Sequence, residues 1–200
     1  MIDGLEALRG LYAQPKGRSL KKQLDRLDVH CRRFVSLSPF VVVATAGADG
    51  AMDCSPRGGE PGFVKAANER TLLVPDAPGN NRLDSMTNIL ATGRIGLLFM
   101  IPGVDETLRV NGRARLAGES DRLAHFAGVA RAPKLALEVS VEEAYLHCAK
   151  ALMRSKLWAP GSRMERSVLP TMGQMLNDQT GTPGPAETQQ EMVARYAADL

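Results

Sequence analysis

Apolar residues recur at helical spacing over the first forty positions and then switch to runs and alternations. Leu5 to Leu11 and Ser19 to Leu37 read as helices, with Leu20, Leu24 and Leu27 on one stripe and Ser19 as the N-cap. From Pro39 the pattern becomes strand-like. Phe40 to Thr45 is β-branched and ends in the turn Gly47-Ala48-Asp49-Gly50, which leads into Ala51 to Ser55 and predicts a hairpin. A second pair, Phe63 to Ala66 and Thr71 to Val74, is joined through Asn68-Glu69.

Asn81 is placed to cap a helix with Leu83, Met86 and Leu90 as its apolar face, Asp84 three residues on, and an end near Gly93. The unbroken run Ile95 to Ile101 predicts a central strand buried on both faces. Leu108, Val110, Ala114 and Leu116 then alternate with Arg109, Asn111, Arg113 and Arg115, which sets three arginines on one face of a strand. Asp121 to Val129 reads as helix, Leu135 to Val141 as strand and Ala149 to Leu157 as a short helix. Thr180 to Pro185 has the composition of a linker, followed by a terminal helix from Glu187 to Ala198. Five or six strands without βαβ alternation predict a mainly β protein with helices, an α+β fold built on an antiparallel barrel. The expected organisation is a helical cover over residues 1–37, a core over 38–160 and an extension over 161–200.

Composition adds exclusions. The chain has 200 residues, 44% apolar and 24% charged, which suffices for one core of ordinary density. Its longest apolar run is far below the ~20 residues of a spanning helix, and no leader pattern is visible, so a cytoplasmic, membrane-free protein is expected. Three cysteines without a close pair suit reduced thiols. A net charge of +3 from 25 basic and 22 acidic residues, with only 4% aromatics, argues against a nucleic-acid surface.

Two segments carry anion-binding chemistry. Gly79-Asn80-Asn81-Arg82 joins residues tolerant of positive φ to a helix start, where N–H groups and a guanidinium fork suit phosphate. A capped turn with a solvated arginine fits the same residues. Ser55-Pro56-Arg57-Gly58 offers a hydroxyl and an arginine at a strand end, or simply a Pro-Gly loop. Arg154, Lys156 and Trp158 can stack on a flat ring and meet its anionic tail, or close a helix whose basic end complements its dipole. The dipeptides His30-Cys31 and His147-Cys148 are poor chelates, since adjacent side chains diverge on a helix or a strand.

Five ordered blocks resemble one family: Asp53 to Val64, Leu73 to Leu90, Gly96 to Ala114, His147 to Trp158 and Leu169 to Gln179 are similar to the pyridoxamine 5′-phosphate-oxidase-like flavoproteins. The resemblance implies an FMN-binding split β-barrel, a homodimer with flavin at the subunit interface, and an FMN-dependent oxidoreductase acting on a small molecule with a nicotinamide reductant. It also implies site residues. Ser55, Arg57, Asn81 and Arg82 would meet the FMN phosphate and ribityl chain, Val74 and Pro75 the ring edge, and Thr107 the position where true oxidases carry a glutamine. Arg154, Lys156 and Trp158 would approach from the partner subunit. Two departures stand out: Gly59 replaces an expected aspartate, and the C-terminus lacks the Trp and Arg-Leu-His block that grips a vitamin B6 phosphate, which argues against that reaction. The alternative the wider family allows is a flavin- or haem-binding module with little turnover, with His30, His125 or His147 as axial ligand.

Overall fold

Residues 2–197 are described in the computed structural model, in the order α1 (Leu5–Gly10), α2 (Gly17–Lys21), α3 (Val29–Leu37), β1 (Phe40–Ala46), β2 (Met52–Gly58), β3 (Lys65–Asn68), β4 (Thr71–Pro75), α4 (Asp84–Thr92), β5 (Arg94–Met100), β6 (Thr107–Ala117), α5 (Ser120–Leu123), β7 (Ala136–His147), α6 (Lys150–Ser155), α7 (Met172–Thr180) and α8 (Gln189–Ala197). The seven strands form one antiparallel sheet in the order β2-β1-β5-β6-β7-β4-β3. The class is α+β. The chain divides into two units, one running through Ser155 and the other from Lys156.

In the first unit, strand alternation builds the core. Val41, Val43, Leu97, Phe99, Leu108 and Val110 point inward and are at most 1% exposed. β5 is central but not buried on both faces, as its sequence had suggested: Ile95, Leu97 and Phe99 are in the core, while Gly96, Leu98 and Met100 are half-buried on the other side. β7 outruns its expected limit of Val141. Asn111 pairs with Glu143 but Gly112 with Val141, so Glu142 is bulged, and the next core residue after Val141 is Ala144. That phase break hides the second half of the strand from a period-two reading. The bulge also needs Gly112, because a Cβ there would lie 2.0 Å from the Ser140 carbonyl oxygen.

The helix predicted over Ser19 to Leu37 is two helices. Leu24 leaves helical geometry to exchange backbone hydrogen bonds with Ala144, at 3.0 and 2.8 Å. Leu27 is fully buried and Leu20 exposed, so the three leucines share no stripe. Asp28 then starts α3 by accepting from the Cys31 N–H at 2.8 Å, which places Cys31, Phe34 and Val35 against the sheet. α4 also departs from its expected cap: Leu83, with φ 59°, holds the cap position and Asn81 lies outside the helix. Its buried residues are Ser85 and Ile89, whereas Leu83 and Leu90 are exposed. The predicted helix over Asp121 to Val129 shortens to α5 and a 3-10 turn over Ala124–Phe126, and the one over Ala149 to Leu157 ends at Ser155.

The second unit is held by local motifs. Thr171 caps α7 by accepting from the Gln174 N–H, and Gly181 closes the helix at φ 66°. Thr188 and Glu191 form a reciprocal capping box at the start of α8, and Arg195 pairs with Glu187. Residue 198, the end of the predicted terminal helix, lies outside the described residues. Among the described residues no helix is long and apolar enough to cross a membrane.

Candidate functional site

β2 is an edge strand, which explains how Pro56 fits inside it: its missing N–H costs no ladder bond on the free side. The Ser-Pro-Arg-Gly segment is therefore strand rather than the loop after one. Ser55 and Arg57 pair with Val43 and Val41, so their side chains share the core-facing side of β2 and meet the start of α4. Arg57 donates from Nη1 to the Ser55 hydroxyl at 2.9 Å and to the Pro56 carbonyl at 2.8 Å, and from Nη2 to the Ser85 hydroxyl at 3.3 Å. Ser55 and Ser85 are 2.9 Å apart, and Ser85 donates onward to Asp53 at 2.5 Å.

This cluster sits at a helix end with no side-chain cap. The first N–H groups of a helix have no intrahelical acceptor, and Leu83 offers none. With the Ser85 proton on Asp53 and the Ser55 proton therefore on Ser85, the fixed guanidinium, the uncapped helix start and a Ser55 hydroxyl that can rotate form a donor set that fits a phosphate. Asn81 and Arg82 precede α4 and are exposed. Arg82 is engaged by Asp84, Nε to Oδ2 at 2.7 Å, and this carboxylate holds the guanidinium pKa above its ordinary value.

A second group of residues lies on the other face. Val42 and Ala44 of β1 alternate away from the core and floor a groove of about 610 Å³ with Gly96, Leu98 and Met100 of β5. Thr107, Arg109, His147 and Cys148 rise along one side, and Lys150 and Arg154 of α6 along another. Arg109, Lys150 and Arg154 face a single acidic lining residue, Asp105. Burial pushes the His147 pKa down from its ordinary value, and the Arg109 and Lys22 charges push it the same way.

The sequence-nominated residues thus separate. Ser55 and Arg57 join at α4, with Asn81 and Arg82 just before it, while Thr107 and Arg154 line the opposite-face groove. Val74 is fully buried in the core, and Pro75 is half-buried at the end of β4 opposite Ala136. Lys156, with φ 52°, and half-buried Trp158 open the second unit. Sequence reasoning missed Ser85, Asp53 and Arg109. A serine four residues before Ile89, on the buried stripe of α4, was a usable signal for the first. The arginine row on β6 was one for the last.

An antiparallel seven-stranded sheet with helices, its edge strand β2 packed against the start of α4, has the α+β architecture of split-barrel proteins. The profile of the pyridoxamine 5′-phosphate oxidase family matches residues 27–148, and the chain belongs to that family. Among solved structures, HupZ of Group A Streptococcus is 17% identical, covers 60% of this chain and 92% of its own, and has a TM-score of 0.50. HutZ, the heme storage protein from Vibrio cholerae, is 13% identical over 61% of this chain and 94% of its own, with a TM-score of 0.44. The FAD binding protein from Mycobacterium smegmatis is 16% identical over 62% and 95%, with a TM-score of 0.43. No curated protein matches the sequence.

Proposed function

We propose that this protein is an FMN-binding flavoprotein that works as a homodimer and oxidises or reduces a small molecule. The observation that carries this reading is the convergence of Ser55, Arg57 and Ser85 at the uncapped start of α4. Arg57 would hold the FMN phosphate, with Ser55 and the first N–H groups of α4 completing its donors and Asn81 and Arg82 closing from the preceding loop. Bound FMN supplies hydride and electron transfer; the chain binds, orients and excludes water.

The opposite-face arrangement supports the dimer. One chain offers phosphate donors on the core-facing side of β2 and the apolar groove with Thr107 and Arg154 on the other side of the sheet. A flavin touching both kinds of residue would draw them from two copies, as the family resemblance implies for Arg154, Lys156 and Trp158. Leu83 and Leu90 of α4 and Met52 of β2, all more than half exposed, provide apolar surface for such an interface.

Purified protein titrated with FMN and examined by absorbance and sedimentation tests the reading. The expected result is one FMN per chain, tight two-fold association, and bleaching of the flavin band by a nicotinamide donor without oxygen. A Soret band in place of flavin bands would identify a haem-handling module. Stoichiometric FMN on a monomer would remove the shared site, and bound FMN that no donor reduces would leave a binding module.

A further inference from the structure

Among the described residues lining the groove, the Arg109 side chain is held in place yet carries a donor that nothing inside the chain accepts. Its Nε is buried and has no hydrogen-bond partner. Its guanidinium carbon lies 4.6 Å from the Tyr145 ring centroid. Lys22 lies 5.4 Å from the same ring, and the His147 ring is 4.9 Å from it. This packing holds a cation in place without neutralising it. Glu143, the carboxylate two residues along β7 from Tyr145, is taken: Gln23 donates to it at 2.6 Å and Asn111 at 3.0 Å. A buried donor left without an acceptor is costly, and this one borders a concave surface from which an outside acceptor can reach it.

The surroundings narrow the acceptor. The groove volume of about 610 Å³ lies within the range of small-molecule sites. Its floor of Val42, Ala44, Leu98 and Met100 is apolar. We infer that the groove binds a small organic anion, with its oxyanion, a carboxylate or phosphate ester, on Arg109 and its flat apolar body on the β1–β5 floor. The inference deepens the proposed function by naming a substrate class, and it shares Thr107 and Arg154 with that reading. It does not need the flavin, so the two fail separately.

The test uses the protein both free of FMN and saturated with it, and three phenyl probes, benzoate, phenyl phosphate and neutral benzamide, followed by calorimetry. At least one anion should bind about tenfold or more tighter than benzamide. Whether benzoate or phenyl phosphate wins tells which oxyanion is preferred, and either preference supports the site. Arg109→Met should reduce the anion to the benzamide level, with FMN affinity and sedimentation unchanged. Equal affinities for anions and benzamide on the parent protein overturn the inference, and this comparison stands even where the variant fails to fold. A variant that loses FMN assigns Arg109 to the flavin, and one that dissociates the dimer assigns it to the second copy; both results overturn the anion site. Anion binding by a parent that takes up no FMN would keep the inference and reject the flavoprotein reading.

Discussion

If the start of α4 holds the FMN phosphate, the two candidate arginines should differ sharply. Arg57 is fixed by bonds to Ser55, Pro56 and Ser85 at 2.9, 2.8 and 3.3 Å, so little side-chain freedom remains to be lost on binding. Replacing it with methionine removes a charge-assisted contact of about 1.5–3 kcal/mol. At about 1.4 kcal/mol per factor of ten, FMN affinity should fall roughly 10- to 100-fold. Arg82 is exposed and already paired with Asp84. It must exchange one oxyanion for another in a screened setting, so Arg82→Met should weaken FMN by less than about fivefold. Asp84→Asn removes a carboxylate from the phosphate's neighbourhood and frees Arg82, and FMN should bind more tightly. Quenching of FMN fluorescence measures all three, with riboflavin as the control that lacks the phosphate. Thermal melts of the apo-proteins separate lost binding from lost fold. The reasoning is refuted if Arg57→Met leaves FMN affinity intact, or if it weakens riboflavin as much as FMN.

Asp28→Ala should cost about 1 kcal/mol by removing the cap of α3, a drop of roughly 2–4 °C in melting temperature for a chain of this size. Because the Cys31 N–H holds the Asp28 carboxyl below its ordinary 3.8, the parent's advantage is present above that value and lost as pH falls through the lower folded one; an advantage constant into strong acid would contradict the cap. Burial, aided by Asp28, pushes the Cys31 thiol up to about 12. Its stabilising contribution is therefore complete below about 9 and declines as pH rises toward 12. Thiol titration at pH 8 should leave Cys31 unmodified until the protein unfolds, while exposed Cys54 and Cys148 react; equal rates at all three would show that Cys31 is not buried. Gly112→Ala should destabilise at the upper end of about 1–3 kcal/mol, since the new methyl meets the Ser140 carbonyl at the bulge. An unchanged melting temperature would mean that β6 and β7 yield there at no cost.

The local grammar of the chain sufficed for the strands up to the second half of β7. Alternation in Leu108, Val110 and Leu116 and the β-branched run before Gly47 specify where backbone is extended and which side chains turn inward, because a period of two is a property of the strand itself. It sufficed also to put the Ser55 and Arg57 side chains on one face of β2, by spacing alone. Only the tertiary structure decided what each face meets. The Leu24 pairing with Ala144 breaks a stretch that looks helical, since two backbone hydrogen bonds to a distant strand outweigh one more helical turn. The bulge at Glu142 reverses the phase of β7, and no periodicity reports an insertion that exists only against a partner strand. Ser85 becomes a site residue because α4 sets it beside β2. Arg109 keeps an open Nε donor where β7 brings the Tyr145 ring against its guanidinium, while Asn111 and Gln23 occupy Glu143. Spacing along a chain fixes direction within one element, but a donor is satisfied or left open only by what other elements carry to it.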